Sequence, residues 1–167
     1  MAYKEHKQVS PIHITVGVLI ISDSRTYTSD ESGKLICHLL EDHGHKIADF
    51  QILQDEASAI KDTLSSLLSL PEVKIVITSG GTGLSQRDIT VETVQPLLDK
   101  KLDGFGELFR SLTYQEIGAG SIMSRTLAGT IDGKVVICLP GSPKAVKLAM
   151  EQIILPEIGH LAREASR

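Results

Sequence analysis

Four short segments rich in β-branched apolar residues recur along the chain, and the stretches between them carry apolar residues at helical spacing. Ile14 to Ile21 is continuously apolar after Thr15, Ile47 to Leu53 partly alternates, and Val73 to Thr78 and Val135 to Leu139 are short apolar runs. Runs apolar on both faces belong to strands covered above and below, as in parallel sheets. After the first strand, Thr28 and Glu31 have capping-box spacing, Leu35, Ile36, Leu39 and Leu40 form one stripe, and Gly44 offers a left-handed stop. Asp55 stands where a helix N-cap belongs, ahead of Ile60, Leu64, Leu67 and Leu68, and Pro71 closes that segment. Val91 to Leu98 and Phe105 to Glu116 read as two further helices separated by Asp103-Gly104, and Pro140-Gly141-Ser142-Pro143 opens a last one. Strands alternating with helices imply right-handed crossovers, hence an α/β fold of three layers, α/β/α, with a largely parallel sheet. The expected organisation is a flexible arm over residues 1–11, one domain over 12–160 and a tail over 161–167.

A chain of 167 residues is long enough for one core without disulfide or metal staples. Its 17 Lys and Arg against 21 Asp and Glu leave a net charge of −4 with no basic block, which argues against nucleic-acid binding. The longest apolar run, Val16 to Ile21, falls far short of the roughly 20 residues that span a bilayer, so neither membrane insertion nor export is expected. Cys37 and Cys138 both sit among apolar neighbours, where free thiols are the ordinary outcome and a disulfide stays open. A reducing, cytoplasmic setting is expected. With no Trp, three Phe and three Tyr, a planar ligand would be held by polar loops more than by stacking.

In a sheet of this kind ligands collect outside the carboxyl ends of the strands. Ser22-Asp23, Asp55, the loop from Gly80 to Asp88, and Gly141-Ser142 each follow a strand, so the fold would bring them to one edge. Ser79-Gly80-Gly81-Thr82-Gly83 can cradle a phosphate on its amides or simply turn the chain. It matches neither the P-loop nor the dinucleotide fingerprint. Asp88 beside such a loop would repel phosphate unless a cation lay between them, which suggests magnesium; a helix-start role is the other use, and Asp55 carries the same two readings. Ser142-Pro143 makes a cap and first turn. Lys144 opposes the helix dipole there unless an anion is near, or else points into water. Ser124-Arg125 offers a guanidinium for another phosphate or for a surface salt bridge. No zinc spacing and no Gly-x-Ser-x-Gly elbow occur.

Taken in order, Thr78-Ser79-Gly80-Gly81-Thr82-Gly83, Arg87-Asp88-Ile89-Thr90, Gly104-Phe105-Gly106-Glu107, Ser124-Arg125 and Leu139-Pro140-Gly141-Ser142-Pro143-Lys144 resemble the MoaB/Mog family of molybdenum cofactor biosynthesis. The resemblance runs over about residues 14–158, and Leu84-Ser85-Gln86 with the short C-terminal end looks more like its B branch. It implies transfer of AMP from ATP to the terminal phosphate of molybdopterin with release of pyrophosphate, magnesium assisting. By resemblance, Asp55 and Asp88 match the family's aspartates for catalysis and magnesium–ATP handling. Ser22, Asp23, Ser79, Gly80, Gly81, Thr82 and Gly83 would meet the nucleotide phosphates. Gly141, Ser142, Lys144, Ser124 and Arg125 would line the molybdopterin region. The resemblance also implies a homotrimer or dimer of trimers, with Phe105 to Phe109 as a candidate contact, and hand-over of product to a molybdenum insertase. The competing expectation is a non-catalytic molybdopterin carrier.

Overall fold

The strand-forming segments assemble into one six-stranded sheet in the computed structural model, which describes residues 10–167. The strands are β1 (Thr15–Ile21), β2 (Lys46–Leu53), β3 (Val73–Ser79), β4 (Lys100–Lys101), β5 (Leu127–Ile131) and β6 (Lys134–Leu139). Their order across the sheet is β2-β1-β3-β6-β5-β4. β2, β1, β3 and β6 run parallel, whereas β5 is antiparallel to both β6 and β4. The fold is therefore α/β with a mixed, mostly parallel sheet, and the crossovers between parallel strands are helical.

Alternation along the central strands sorts the core into two layers. Val18, Ile20, Ile77 and Ile137 face one side, which is covered by α1 (Ser32–Asp42), α4 (Asp103–Ile117), α5 (Pro143–Ala149) and α6 (Leu155–Ala165). Leu19, Ile21, Val76 and Cys138 face the other, where Ile60, Leu64 and Leu67 of α2 (Ala57–Ser69) and Val94 of α3 (Thr90–Val94) close over them. Each strand thus spends both faces on burial, as its apolar composition requires. Cys37 and Cys138 are free thiols, and burial pushes both up to about 11. No helix among the described residues is long and apolar enough to cross a membrane.

Several local expectations are corrected. The carboxylate that receives an amide at the start of α1 is Asp30, from Gly33 at 3.0 Å, not the Thr28–Glu31 box, because Asp30 is fully buried beside Arg25. Asp103 and Gly104 do not break the chain but form the first turn of α4, and the segment expected as one helix over 91–98 divides into α3 and a 3-10 turn, Gln95–Leu97, which contains Pro96. Residues β4 and β5, absent from the sequence reading, add two strands. The hairpin between β5 and β6 turns on Asp132 and Gly133, with φ of 49° and 73°, the left-handed pair that two-residue hairpins favour. Phe105 and Phe109 are buried against the sheet; four apart, they share the inward face of α4, while Glu107 and Leu108 of the same segment are exposed. The segment after residue 160, expected as a tail, continues α6 to Ala165. Most of the arm expected over 1–11 lies outside the described residues.

Candidate functional site

The carboxyl ends of β1, β2, β3 and β6 lie along one edge, and the loops leaving them surround an open cleft of about 550 Å³. The edge includes the point between β1 and β3 where the strand order reverses, the usual crevice of an open α/β sheet. The glycine loop sits there for steric reasons. Gly80 has φ of 107° and Gly81 of 62°; a Cβ on Gly80 would overlap the Ile21 carbonyl oxygen, and one on Gly81 would overlap Thr90 Oγ1 and crowd Asp55 Oδ1. Thr90, buried at the head of α3, fixes the loop by donating its hydroxyl to the Gly80 carbonyl at 3.0 Å and its amide to the Gly81 carbonyl at 2.9 Å. The Gly80 amide is taken by Leu139, 3.0 Å away, which leaves Gly81, Thr82 and Gly83 as the loop's donors for an anion.

Two carboxylates close on this loop from either side. Asp55 does not cap α2: its side chain turns into the cleft, its Oδ1 is buried with no hydrogen-bond partner, and Glu56 takes the cap position. Asp88 lines the same cleft, in contact range of Gly83, and its Oδ2 accepts the Ser85 amide at 2.9 Å. Desolvation holds the Asp55 carboxyl above the ordinary aspartate range, and the charges of Asp23 and Asp88 push it further the same way. An orphaned buried oxygen beside a second carboxylate is a donor set that a hard cation would complete. No cluster of three or more potential ligands occurs among the described residues, so remaining positions would fall to water and phosphate oxygens, as is usual for magnesium.

The other expected residues separate into two groups. Ser22, Gly80 to Gly83, Ser124, Gly141 and Ser142 line the cleft together with Asp55 and Asp88. Ser124 Oγ is another buried oxygen without a partner. Asp23, Ser79, Arg125 and Lys144 do not line it. Ser79 is buried and donates to the Pro140 carbonyl at 2.9 Å, tying the ends of β3 and β6 together. Arg125 is engaged by Glu92 at 2.6 and 3.0 Å and donates to the Thr82 carbonyl at 3.0 Å, so it braces the glycine loop from outside. Lys144 is exposed on the first turn of α5, whose cap is Ser142, accepting the Ala145 amide at 3.2 Å. Asp23 is paired with Arg87, which holds its carboxyl below the usual range, and it also accepts the Asp55 amide at 3.1 Å.

Sequence reasoning missed Arg25. Its guanidinium lines the cleft and joins three groups, Asp30 Oδ1 at 3.3 Å, Ser32 Oγ at 3.1 Å and the Gly141 carbonyl at 2.7 Å, strapping the β1–α1 turn to the β6–α5 turn. Its only sequence signal was its position at the end of the polar turn after β1. Apolar lining comes from Phe109 and Ile117 of α4 and from Met123 in the turn that follows. A rim of loop amides and hydroxyls together with apolar side chains suits a ligand with an anionic end and a planar body.

The family model described as a probable molybdopterin binding domain matches residues 14–160. Over 168 residues the chain is 43% identical to a molybdenum cofactor biosynthesis protein B of Bacillus cereus, covering 100% of this chain and 99% of that protein. A crystal structure of a molybdenum cofactor biosynthesis protein B superposes with a TM-score of 0.90 at 43% identity, over 93% of this chain and 98% of the other. The tungsten cofactor synthesizing protein MoaB from Pyrococcus furiosus superposes with a TM-score of 0.85 at 34% identity, over 95% and 100%.

The buried charge of Asp55 has a measurable cost. A carboxyl raised in the native state binds protons that the unfolded chain releases, so stability falls as pH rises from the ordinary aspartate value through the raised native one. With chelator present, Asp55→Asn is expected to melt higher than the natural chain at pH 7, with the gap closing below about pH 3.9, the ordinary aspartate value. Identical melting of the two at pH 7 would show that this carboxylate carries no strain.

Proposed function

The chain belongs to the molybdenum cofactor biosynthesis protein B family, and from that membership we propose that it adenylylates molybdopterin, transferring AMP from ATP to the pterin's terminal phosphate with release of pyrophosphate. The observation that carries the reading is the orphaned carboxylate oxygen of Asp55, held beside Asp88 on a glycine loop. A carrier for a phosphorylated pterin gains nothing from two carboxylates facing an anion, because they repel it unless a cation intervenes. That asymmetry favours the enzyme over the carrier.

The reaction joins a phosphate oxygen of the pterin to the α-phosphorus of ATP and breaks the bond from that phosphorus to the bridging oxygen, so pyrophosphate leaves and no covalent bond to the protein forms. Positioning and charge neutralisation supply the catalysis. The amides of Gly81, Thr82 and Gly83 would hold the nucleotide phosphates, Ser22 would add a hydroxyl, and the apolar wall of Phe109, Ile117 and Met123 would exclude water from the pterin side. Asp55 and Asp88 would hold magnesium, whose charge would there offset that developing on the leaving pyrophosphate. Ser124, Gly141 and Ser142, which line the same cleft, would meet the pterin phosphate. The product would pass to a molybdenum insertase, within the cytoplasm. With molybdopterin, magnesium and labelled ATP, the natural protein is expected to release pyrophosphate only when pterin is present. Asp88→Ala should abolish that release, by 10²-fold or more on the scale of lost transition-state charge stabilisation, while still binding pterin. Full transfer by the variant would remove Asp88 from the reaction.

The assembly we infer is a homotrimer or a pair of trimers. What supports it is a group of exposed apolar side chains at the end of α4 and in the next turn, Tyr114, Ile117, Ile122 and Met123, of which Ile122 is 78% exposed. Met123 and Ile117 also line the cleft, so a neighbour seated there would stand at its rim. Sedimentation at micromolar concentration is expected to give a trimer or hexamer that Ile122→Glu dissociates; a monomeric natural protein would contradict it.

A further inference from the structure

Three arginines stand around the cleft, and they are held differently. Arg25 donates to Asp30, to Ser32 and to the Gly141 carbonyl, and Arg125 donates to Glu92 and to the Thr82 carbonyl. Each is pinned to backbone and largely shielded, with side chains 28% and 27% exposed. The Arg87 side chain is 63% exposed and, among the described residues, its guanidinium hydrogen-bonds to one carboxylate alone. Its Nε lies 2.9 Å from Asp23 Oδ2, and its Nη2 lies 2.9 and 2.7 Å from Asp23 Oδ1 and Oδ2. An ion pair this open to water contributes little to stability. Its bidentate geometry is, however, the one by which arginine recognises carboxylate and phosphate alike.

The place of the pair matters more than its strength. Asp23 lies in the turn after β1 and Arg87 in the loop that runs from Gly83 to Asp88, one residue from the Asp88 carboxylate. Asp23 Oδ1 also accepts the Asp55 amide at 3.1 Å. Among the described residues, the guanidinium is therefore the one loosely held cation beside Asp23, Asp55 and Asp88 at the mouth of the glycine loop. We propose that Arg87 is an exchangeable polyphosphate contact, stored on Asp23 in the free protein and transferred to the outer phosphates of the nucleotide on binding. The inference rests on the adenylyl-transfer reading and names a substrate-specificity residue for it: Arg87 selects a nucleoside triphosphate over a monophosphate.

A consequence follows from charge. Once Arg87 leaves, Asp23 faces Asp55 and Asp88 uncompensated, and the site gains affinity for a divalent cation. Polyphosphate and cation then reinforce each other's binding, reciprocally, as linkage demands. A static clamp would behave otherwise, since breaking it from either end would loosen the same loop.

Calorimetric titration of the full chain with tripolyphosphate, with and without magnesium, separates the two. The natural protein is expected to bind tripolyphosphate more tightly when magnesium is present. Arg87→Gln should bind it about tenfold more weakly or worse, the scale of one lost hydrogen bond to a charged group. Asp23→Asn retains an acceptor for the Asp55 amide but removes Arg87's competing anion. It should bind tripolyphosphate several-fold more tightly without magnesium, and gain less from adding it. Both positions are exposed, and thermal melting checks that the variants fold. Equal weakening in both variants, or no change in Arg87→Gln, would overturn the exchange while leaving pterin-dependent pyrophosphate release in the natural protein intact. Failure of the natural protein to bind tripolyphosphate at all would overturn the nucleotide reading together with it.

Discussion

The ends of β1 and β3 approach so closely that the Ile21 carbonyl occupies the space where a side chain on Gly80 would begin, and Asp55 Oδ1 and Thr90 Oγ1 crowd the same space at Gly81. Everything at the carboxyl edge depends on that approach. It makes glycine the only residue the loop accepts at two successive positions, and it is against this loop that the aspartate following β2 enters the cleft. The layers of Leu19, Ile21 and Val76 on one face and Val18, Ile20 and Ile77 on the other keep the strands from spreading. Ser79 and Thr90 then spend their hydroxyls on Pro140 and Gly80, holding the loop from within.

The electrostatics of the edge are unbalanced by design of its parts. Asp55 is buried with one oxygen unpartnered, Asp88 lines the same cleft, and Asp23 accepts the Asp55 amide, so the charges of Asp23 and Asp88 raise the cost of ionising Asp55. The cations nearby answer that imbalance only in part, because Arg25 and Arg125 are bonded to backbone carbonyls and brace loops. A site in this state would suit a ligand that brings both anions and a divalent cation, the form in which we propose it meets a nucleoside triphosphate. Stability given up at Asp55 is the expected companion of such a preference.

Much of this was legible from residue patterns. The strands nearest the centre could be read because burial on both faces demands apolar, β-branched runs, and the glycine loop because few other residues tolerate its dihedral angles. Membership of the family followed from five ordered motifs, and the comparisons bear it out. The edge strands were less visible: β4 is two residues long and lysine-only, and β5 mixes Gly129 and Thr130 into a run too short to show a period. The Asp132-Gly133 dipeptide was the available signal for that hairpin. Side-chain partners were the least legible. Whether Arg125 would meet a phosphate or Glu92, and whether Lys144 would meet an anion or water, depends on residues distant in sequence; in the structure Arg125 is held by Glu92 and Lys144 is exposed. Asp55 shows the same limit from the other side, since a position suited to a cap delivered a carboxylate to the cleft instead.

The central claim is that Asp55 and Asp88 together form one cation-binding place on the glycine loop. Crystals of the full chain grown with manganese and a non-hydrolysable ATP analogue test it directly, because anomalous scattering locates the metal without reference to activity. The account predicts one anomalous peak bridged to the phosphate chain, with both carboxylates within about 2.0–2.6 Å of the metal or reaching it through a single water. A metal bound away from both aspartates, with Asp55 Oδ1 still unpartnered beside a seated nucleotide, would contradict it.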